Sequence, residues 1–453
     1  MPSLAGSPGW MTEGQFCHRV GAEPELTNLP HIPPPRLYIT MSAPAQHEQS
    51  HEHDDPAEEF IDQNDVLAEV GDEAEGDHPM DEDEEAPEGT GEQLDIEQDD
   101  IVWEDNSIQQ FTSHNQKSVF AVSTHPTQAL AVSGGEDDMG YIWDLYTGEI
   151  VARLGGHEDS VAAVGFSSDG EMVATGGMDG HVRLWRRVAK SNGWKNWEFL
   201  TDVQGPDEVV WLKWHPSGNV LAAGSTDSTV WVWNFPSGTP LLVLSAHDAP
   251  LTSGLWTPNG KRLLTASQSG TLVLTDPRTP TPEFKLSPTD ARFAFEGGIT
   301  SIGTNPAGTL AVVGGADGQV RVVHMGKGEV VGALESHGEG ESVEAIAFYG
   351  DFVLTGGTDG KIHVSDLTTL RLRSSLLGHS DAITSLNVHG DGLLTSSSAD
   401  KTSRTWDIRR GQELRVHKGH AGPVLGASIG SRGKEEVVVS AGDEGVCLVF
   451  ATQ

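Results

Sequence analysis

Short alternations of apolar and polar residues, separated by glycine-containing turns, recur along most of the chain. From Gly156 to Arg186 the sequence GHEDSVAAVGFSSDGEMVATGGMDGHVRLWR holds a Gly-His pair, three alternating segments and two Asp-Gly turns. Period-two alternation bounded by Asp-Gly is typical of β-strands joined by tight turns. The pattern therefore predicts an all-β protein.

The same frame recurs eight times from Phe111 onward. The position of Asp179 in the quoted unit repeats every 41 to 48 residues, at Asp137, Asp179, Asp227, Ser269, Asp317, Asp359, Asp400 and Glu444. With their Gly-His openings and Trp-Asp endings, the units resemble the WD-repeat family, in which each repeat supplies a four-stranded blade. The resemblance implies an eight-bladed β-propeller over residues 106–453.

Three units contain a histidine, a hydroxyl, an aspartate and a tryptophan at matched spacing. The set could be mistaken for a catalytic triad, but a catalytic site would not be built three times. The WD-repeat resemblance implies a structural tetrad, in which Asp binds His, His binds the hydroxyl and the hydroxyl binds the indole, so that buried polar groups are satisfied. The members are His114, Ser133, Asp137 and Trp143; His157, Thr175, Asp179 and Trp185; and His379, Ser396, Asp400 and Trp406.

Units four, five and eight depart from this pattern. Ser269 and Thr275 replace Asp and Trp in the fourth, Val323 replaces Trp in the fifth, and Glu444 with Phe450 stands in the eighth. We expect these blades to depend more on packing.

The final predicted strand, GVCLVF, is followed by three residues, so nothing downstream can cover its edge. An open edge presents unpaired N–H and C=O groups and invites aggregation. In WD-repeat propellers the outer strand of each blade comes from the start of the next unit. The resemblance therefore implies that NSIQQFT, residues 106–112, pairs with the last blade and closes the ring.

The net charge of −39 is distributed unevenly, since 25 of the 67 acidic residues lie between Glu52 and Asp105, where there is no Lys or Arg. Such a segment buries too little apolar surface to fold, so residues 1–100 are predicted to be a disordered extension, acidic from residue 52. Two cysteines and no long apolar run predict neither a disulfide framework nor a membrane span, and favour the cytoplasm, with the nucleus as a second possibility. No phosphate-binding loop, metal cluster or isolated nucleophile is found, so we predict no enzyme, metal or cofactor.

Acidic residues concentrate in loops that the resemblance places on one rim, the narrow top face. They include Glu136, Glu158, Asp159, Asp207, Glu208, Glu344 and Asp443, with Lys117 as the main basic residue nearby. Such a rim would attract Arg and Lys side chains and repel nucleic acid. A solvated face without a ligand is the alternative interpretation.

A narrower resemblance rests on TGEI after GGEDDMGYIWDL, on VVWLKWHPSGNVLAAGSTDSTVWVW, on the closing AGDEGVCLVF and on the acidic leader. From about residue 95 to 453 the chain is similar to the angio-associated migratory cell protein family, whose fungal members are dedicated chaperones of a large-subunit ribosomal protein (L-ten in yeast). The resemblance implies a monomer that captures the basic N-terminal segment of that ribosomal protein on its acidic top face, with no direct contact to nucleic acid or membrane.

Two other binding functions stay open. The WDIRR sequence at Trp406–Arg410 contains Trp-Asp-x-Arg, a pattern of substrate receptors of cullin-type ubiquitin ligases. A histone-binding propeller would also be acidic and would also bind basic tails.

Overall fold

The structure, a computed structural model, describes residues 104–188, 193–279, 281–390 and 392–452. The disorder predicted for residues 1–100 falls outside this described part. Within it the chain forms 32 β-strands arranged in eight antiparallel four-stranded sheets, which confirms the predicted all-β, eight-bladed propeller. Across the same ranges no helix is long and apolar enough to cross a membrane.

Blades one to four each consist of four consecutive strands. These are β2 (Val119–Thr124), β3 (Leu130–Gly135), β4 (Gly140–Asp144) and β5 (Ile150–Leu154); β6 (Val161–Phe166), β7 (Met172–Gly177), β8 (His181–Arg187) and β9 (Trp197–Gln204); β10 (Val209–Trp214), β11 (Val220–Ser225), β12 (Val230–Asn234) and β13 (Thr239–Leu244); and β14 (Leu251–Trp256), β15 (Leu263–Ser267), β16 (Leu272–Thr275) and β17 (Phe284–Leu286).

Blades five to seven repeat this order, and blade eight takes its outer strand from β1 (Gln109–Phe111). The strands are β18 (Ile299–Thr304), β19 (Leu310–Gly315), β20 (Val320–His324) and β21 (Glu329–Ala333); β22 (Val343–Tyr349), β23 (Phe352–Gly357), β24 (Ile362–Asp366) and β25 (Arg371–Leu376); β26 (Ile383–His389), β27 (Leu393–Ser398), β28 (Ser403–Asp407) and β29 (Gln412–His417); and β30 (Val424–Arg432), β31 (Glu435–Gly442) and β32 (Cys447–Ala451).

Burial within a blade follows strand position. The second strands β3 and β7 are buried at every residue, because sheet neighbours flank them and adjacent blades cover both faces. The fourth strands are largely exposed; β13 has one buried residue, Leu244. Small residues such as the glycines of β3 and β7 are needed where blades pack closely. A Cβ on Gly176, for example, would lie only 2.6 Å from Val209 Cγ1 of the next blade.

The first strands of the blades form a closed inner ring around a central channel. Each contacts the first strand of the next blade, and β30 contacts β2. Hydroxyls join neighbouring blades in this ring: Thr300 Oγ1 donates to the Val343 carbonyl at 2.6 Å, and Thr384 Oγ1 donates to the Val424 carbonyl at 2.7 Å.

The turn between the second and third strands has the same backbone conformation in every blade. The residue after the tetrad Asp position has positive φ in all eight, which favours glycine because a side chain there is strained. Glycine occupies five of these positions, and the others are held by Asp138, Ser228 and Lys401.

Ring closure depends on β1, which pairs antiparallel with β32. Gln109 lies opposite Val449 and Phe111 opposite Cys447, and the Ile108 N–H donates to the Val449 carbonyl at 2.7 Å. The strand is shorter than residues 106–112, but Asn106 extends the contact, since its N–H donates to the Lys418 carbonyl at 3.0 Å.

Phe111 fixes this junction through its side chain. It is buried, and its ring stacks on Trp143 of blade one with centroids 4.9 Å apart and planes at 5°. Cys447 and Val449 complete the same apolar cluster. One short strand thus joins blade eight to blade one by backbone pairing and by aromatic packing.

We predict that a chain beginning at Ser113 unfolds at a lower temperature than one beginning at Ile101 and self-associates. Removing β1 exposes the β32 edge and loses the buried Phe111 ring, whose truncation alone typically costs about 3–5 kcal/mol. Thermal unfolding and light scattering of the two chains test this. Equal melting temperatures and monomeric behaviour of both would show that β1 does not close the ring.

Candidate functional site

One repeated backbone hydrogen bond defines the inner rim of the face that carries the tetrad Asp turns. In each blade the residue before the tetrad Asp position donates its N–H to the carbonyl preceding the first strand. The eight pairs are Glu136–Ser118, Met178–Ser160, Thr226–Glu208, Gln268–Pro250, Ala316–Gly298, Thr358–Ser342, Ala399–Ala382 and Asp443–Pro423, at 2.9 to 3.1 Å. We call this face the top face.

All seven predicted acidic residues are exposed on the top face. Glu136 and Asp443 hold the rim position before the tetrad turn, and Glu208 holds the rim carbonyl of blade three. Glu158, Asp159 and Asp207 lie slightly farther out, in the loops that lead to β6 and β10.

Six of these residues belong to four consecutive blades, and the seventh does not. Blades eight, one, two and three carry the six, which we call the acidic arc: Glu136, Glu158, Asp159, Asp207, Glu208 and Asp443. Glu344 lies on β22 of blade six, where Ser342 Oγ donates to its carboxylate. The structure therefore does not bring Glu344 together with the others.

Lys117 is the basic residue beside the acidic arc, but the same face carries other lysines. Lys361 lies two residues after Asp359 of blade six, Lys401 directly follows Asp400 of blade seven, and Lys418 begins the loop before β30. Sequence reasoning missed Lys361 and Lys401 because the turn after the tetrad Asp was not considered for charge, and it overlooked Lys418 beside Gly419-His420. On blades six and seven the top face thus carries lysines as well as exposed acids such as Glu344 and Asp381.

The two rim acids at the closure already have partners within the chain. Lys117 Nζ donates to Glu136 Oε1 at 3.0 Å, and both side chains are about half exposed. This hydrogen bond and the charge of Lys117 lower the pKa of Glu136. Ser118 Oγ donates to Asp443 Oδ1 at 2.7 Å. An exposed ion pair of this type is worth roughly 0–1 kcal/mol, so a ligand cation can replace Lys117.

The channel below the arc contains a cation. Lys213 lies on the inner strand β10 and is solvent-exposed although protein surrounds it. This enclosure lowers the pKa of its ammonium group. A basic ligand on the acidic arc would meet like charge if it entered the channel.

The structure brings together the His, hydroxyl and Asp of all three predicted tetrads. In blade one, His114 Nδ1 donates to Asp137 Oδ1 at 2.8 Å and Nε2 lies 2.9 Å from Ser133 Oγ. In blade two, His157 Nε2 lies 2.7 Å from Thr175 Oγ1. Since a carboxylate only accepts, each Nδ1 carries the proton and each Nε2 accepts from the hydroxyl.

The fourth link of the tetrad forms in blade seven but not in blades one and two. Trp406 Nε1 donates to Ser396 Oγ at 2.8 Å, as predicted. The Trp143 Nε1 is buried and has no hydrogen-bond partner among the described residues, because Ser133 binds the Cys447 thiol and the indole stacks on Phe111. Within the described contacts Trp185 likewise has no hydrogen bond to Thr175, and its indole packs edge-on against Phe199.

Two further networks escaped sequence reasoning. His337 Nδ1 donates to Asp359 at 2.9 Å while Nε2 lies 3.1 Å from Thr355 Oγ1. In blade eight, His420 binds Glu444 through Nδ1 and Ser440 through Nε2. His337 was missed because five residues separate it from its strand, whereas three separate His157 from its own, although the spacing of 22 residues from His337 to Asp359 matches that from His157 to Asp179. Blade eight therefore keeps the network with glutamate in place of aspartate.

His337, Asp359 and His363 are the described side chains grouped closely enough to suggest a metal site, with ligand atoms within 4.8 Å of one another. The two imidazole rings stack at 4.3 Å with planes at 10°. Stacked rings point their nitrogen lone pairs in parallel, whereas a metal needs them to converge. The group is better explained as the blade-six network with a stacked histidine.

The repeats of this chain match a known protein family. The family model described as WD domain, G-beta repeat matches residues 105–144, 148–186, 197–234, 238–276, 291–324 and 370–407. The human angio-associated migratory cell protein is 33% identical over 365 residues, which covers 77% of this chain and 81% of that protein.

Two fungal proteins named Sqt1 are also similar. The ribosome assembly protein SQT1 of Saccharomyces cerevisiae is 28% identical, covering 78% of this chain and 88% of that protein. The crystal structure of Chaetomium thermophilum Sqt1 bound to the N-terminus of ribosomal protein L10 superposes with a TM-score of 0.72 at 30% identity, covering 77% of this chain and all of that one.

We predict that His157→Ala destabilises the fold without specific loss of binding. The change leaves Asp179 and Thr175 without their buried partner, at a cost of about 1–3 kcal/mol. Chemical unfolding measures this, with the exposed neighbour Glu158→Ala as a stability control. A well-folded His157→Ala protein of unchanged stability would contradict a structural role.

Acidification should destabilise the propeller between about pH 6.5 and 4. Burial, aided by Lys285, lowers the pKa of His247 to about 4, and burial with Arg415 and His389 nearby does the same for His417. Unfolded histidine titrates near 6.5, so in this window the unfolded chain binds protons that the folded chain does not. The contribution of these two histidines to the free energy of unfolding is therefore fully present above pH 6.5, and it decreases as the pH falls through this window.

The measurement is the melting temperature from pH 7.5 to 4.5 for the wild type and for His247→Gln. The variant should show a shallower decline, because the group that takes up the proton is gone. Superimposable pH slopes would rule out His247 as a contributor.

Proposed function

Since this chain belongs to the WD40-repeat family of the angio-associated migratory cell protein, we propose that it is a ribosome-assembly chaperone that binds the basic N-terminal segment of newly made ribosomal protein L10. The observation that carries the proposal is the acidic arc, which presents six exposed carboxylates over four adjacent blades. The similarity to an Sqt1 solved with the N-terminus of L10 supports the choice of client.

The arc suits a basic segment for electrostatic reasons. Carboxylates of one sign on a continuous surface add their fields, which raises the association rate of a cationic peptide and selects against anionic ones. We infer that Glu136 and Asp443 contribute most, because they are neighbours across the closure and stand on the inner rim. Client arginines would replace Lys117 at Glu136.

Glu344 contributes less to the proposed binding than the residues of the acidic arc. It lies in blade six, away from the acidic arc. An extended peptide that crosses the channel mouth could contact both, whereas one that follows the arc could not.

The proposed client places the protein in the cytoplasm, where ribosomal proteins are synthesised, with the nucleus as the alternative. We propose that it acts as a monomer and makes no direct contact with nucleic acid or membrane. The role needs no catalytic group or cofactor.

The ligase alternative depends on Arg409, which the structure places in the turn between β28 and β29, at the opposite end of the blade from the top face. Its guanidinium lies over the Tyr349 ring at 5.5 Å and donates to the Tyr349 hydroxyl. Because this contact within the chain binds the Arg409 guanidinium, no partner protein is needed to explain an arginine at this position. Histone tails would use the same acidic arc as L10.

Reversing the rim charges should abolish most binding of an L10 N-terminal peptide. Glu136→Lys with Asp443→Lys replaces attraction by repulsion at adjacent blades, so we expect at least a tenfold rise in Kd by calorimetry at 0.15 M salt, where the screening length is about 8 Å. Lys117→Gln should lower Kd, since it removes the competing cation. The matched control is Glu413→Lys with Glu435→Lys, which reverses two acids of blades seven and eight that lie outside the arc.

Each variant must first show a wild-type melting profile. Equal Kd for the wild type and the rim double variant, or binding indifferent to salt, would refute the proposal. A histone-tail peptide that competes more effectively than the L10 peptide would favour the histone alternative, and recovery of a ligase scaffold from lysate would favour the ligase.

A further inference from the structure

Two large apolar side chains are exposed on the top face within the acidic arc. Met178 is 38% exposed and Val210 is 36% exposed. Several other exposed large apolar residues, such as Leu241, Val331 and Leu414, lie on the outer strands, and Leu377 lies in the loop before blade seven, outside the acidic arc. Met178 and Val210 therefore differ from them by lying on the proposed binding face.

The fold places these two residues on adjacent blades, beside the junction where blade two packs on blade three. Met178 is the rim residue of blade two, with its N–H bound to the Ser160 carbonyl at 2.9 Å, and Val210 is the bulge residue of β10 in blade three. The turn that carries Met178 packs on the loop before Val210 on both sides. A Cβ on Gly176 would lie 2.6 Å from Val209 Cγ1, and one on Gly180 would lie 2.7 Å from the Pro206 carbonyl oxygen.

The matching positions of other blades show how local this apolar surface is. The rim position holds Glu136, Thr226, Gln268, Ala316, Thr358, Ala399 and Asp443 in the other seven blades. The bulge position is apolar in blades eight, one, two and three and polar in the rest, in the order Leu425, Phe120, Ala162, Val210, Thr252, Thr300, Glu344 and Thr384. The apolar part thus coincides with the blades of the acidic arc.

Carboxylates stand on both sides of the pair. Glu136 is one blade before Met178 along the rim, and Glu208 is two residues before Val210. A ligand complementary to this order carries a cation, an apolar side chain and a second cation in succession. Neither a purely cationic chain nor a purely apolar one fits the whole surface.

We propose that Met178 and Val210 form an apolar contact site for one uncharged apolar side chain that lies between arginines or lysines of the client segment. This deepens the proposed function and rests on it. The acids would attract any basic chain, whereas the apolar pair would select those with an apolar residue in the right place, because burying apolar area gives affinity that salt does not screen.

The test uses the full chain and two synthetic peptides of equal charge, one with the core Arg-Arg-Leu-Arg-Arg and one with Arg-Arg-Ser-Arg-Arg, titrated by calorimetry at 0.15 M and 0.5 M salt. We expect the leucine peptide to bind about tenfold more tightly, the preference given by burying most of one leucine side chain. The preference should persist at 0.5 M salt, although both peptides bind more weakly there.

The Met178→Ser/Val210→Ser variant should lose the leucine preference and bind the serine peptide like the wild type. Leu241→Ser/Val243→Ser is the matched control, since it removes two exposed apolar residues of blade three from the outer strand β13. Melting curves of both variants confirm folding, which exposed positions should leave intact.

A leucine preference that survives in Met178→Ser/Val210→Ser, or that the control also removes, overturns the inference. If Glu136→Lys with Asp443→Lys weakens both peptides while the wild type does not distinguish them, the acidic arc stands and the apolar site fails. If the wild type binds neither peptide, both proposals fail.

Discussion

Strand pairing at one junction makes the rest of the propeller possible. A ring of blades has no free sheet edge in its interior only when the last blade is completed, and here three residues, Gln109 to Phe111, supply the missing strand. The Phe111 ring then stacks on Trp143 and ties the first blade to the last. The inner strands close the ring separately, where β30 contacts β2, and β1 adds the outer strand that covers the edge of β32.

One part of the acidic arc, the pair Glu136 and Asp443, depends on that closure. Asp443 comes from blade eight and Glu136 from blade one, and the hydrogen bond between Ser118 and Asp443 crosses the same junction. In the proposed function, charge on the arc and the apolar surface beside it have different roles. Long-range attraction would select the class of ligand, and short-range burial at Met178 and Val210 would select among its members.

The fold was predictable because each blade repeats one set of turn and strand signals, so eight weak patterns support one another. The His–Asp pairs were predictable for the same reason. The indole contacts were not: sequence spacing sets which residues face one another, but neighbours decide which hydrogen bond forms, and at Ser133 the Cys447 thiol from another blade competes. His337 was missed because a longer loop hid a spacing to Asp359 that equals the spacing of His157 to Asp179. The lysines of blades six and seven were missed because their turn was not expected to matter for charge. The acids of the site could be named from sequence, but their grouping into one arc that excludes Glu344 required the order of blades in space.

Closure between the two ends also sets an order of events during synthesis. The outer strand of blade eight leaves the ribosome first, and its partner β32 follows more than 300 residues later. Until β32 emerges, β1 has no sheet to join, and Asp443 and Glu136 cannot become neighbours. Seven blades can form as the chain grows, yet the part of the acidic arc that joins blade eight to blade one is assembled in a single late step. A partly made copy of this protein therefore lacks the Glu136–Asp443 pair, to which the proposed function assigns the largest share of binding.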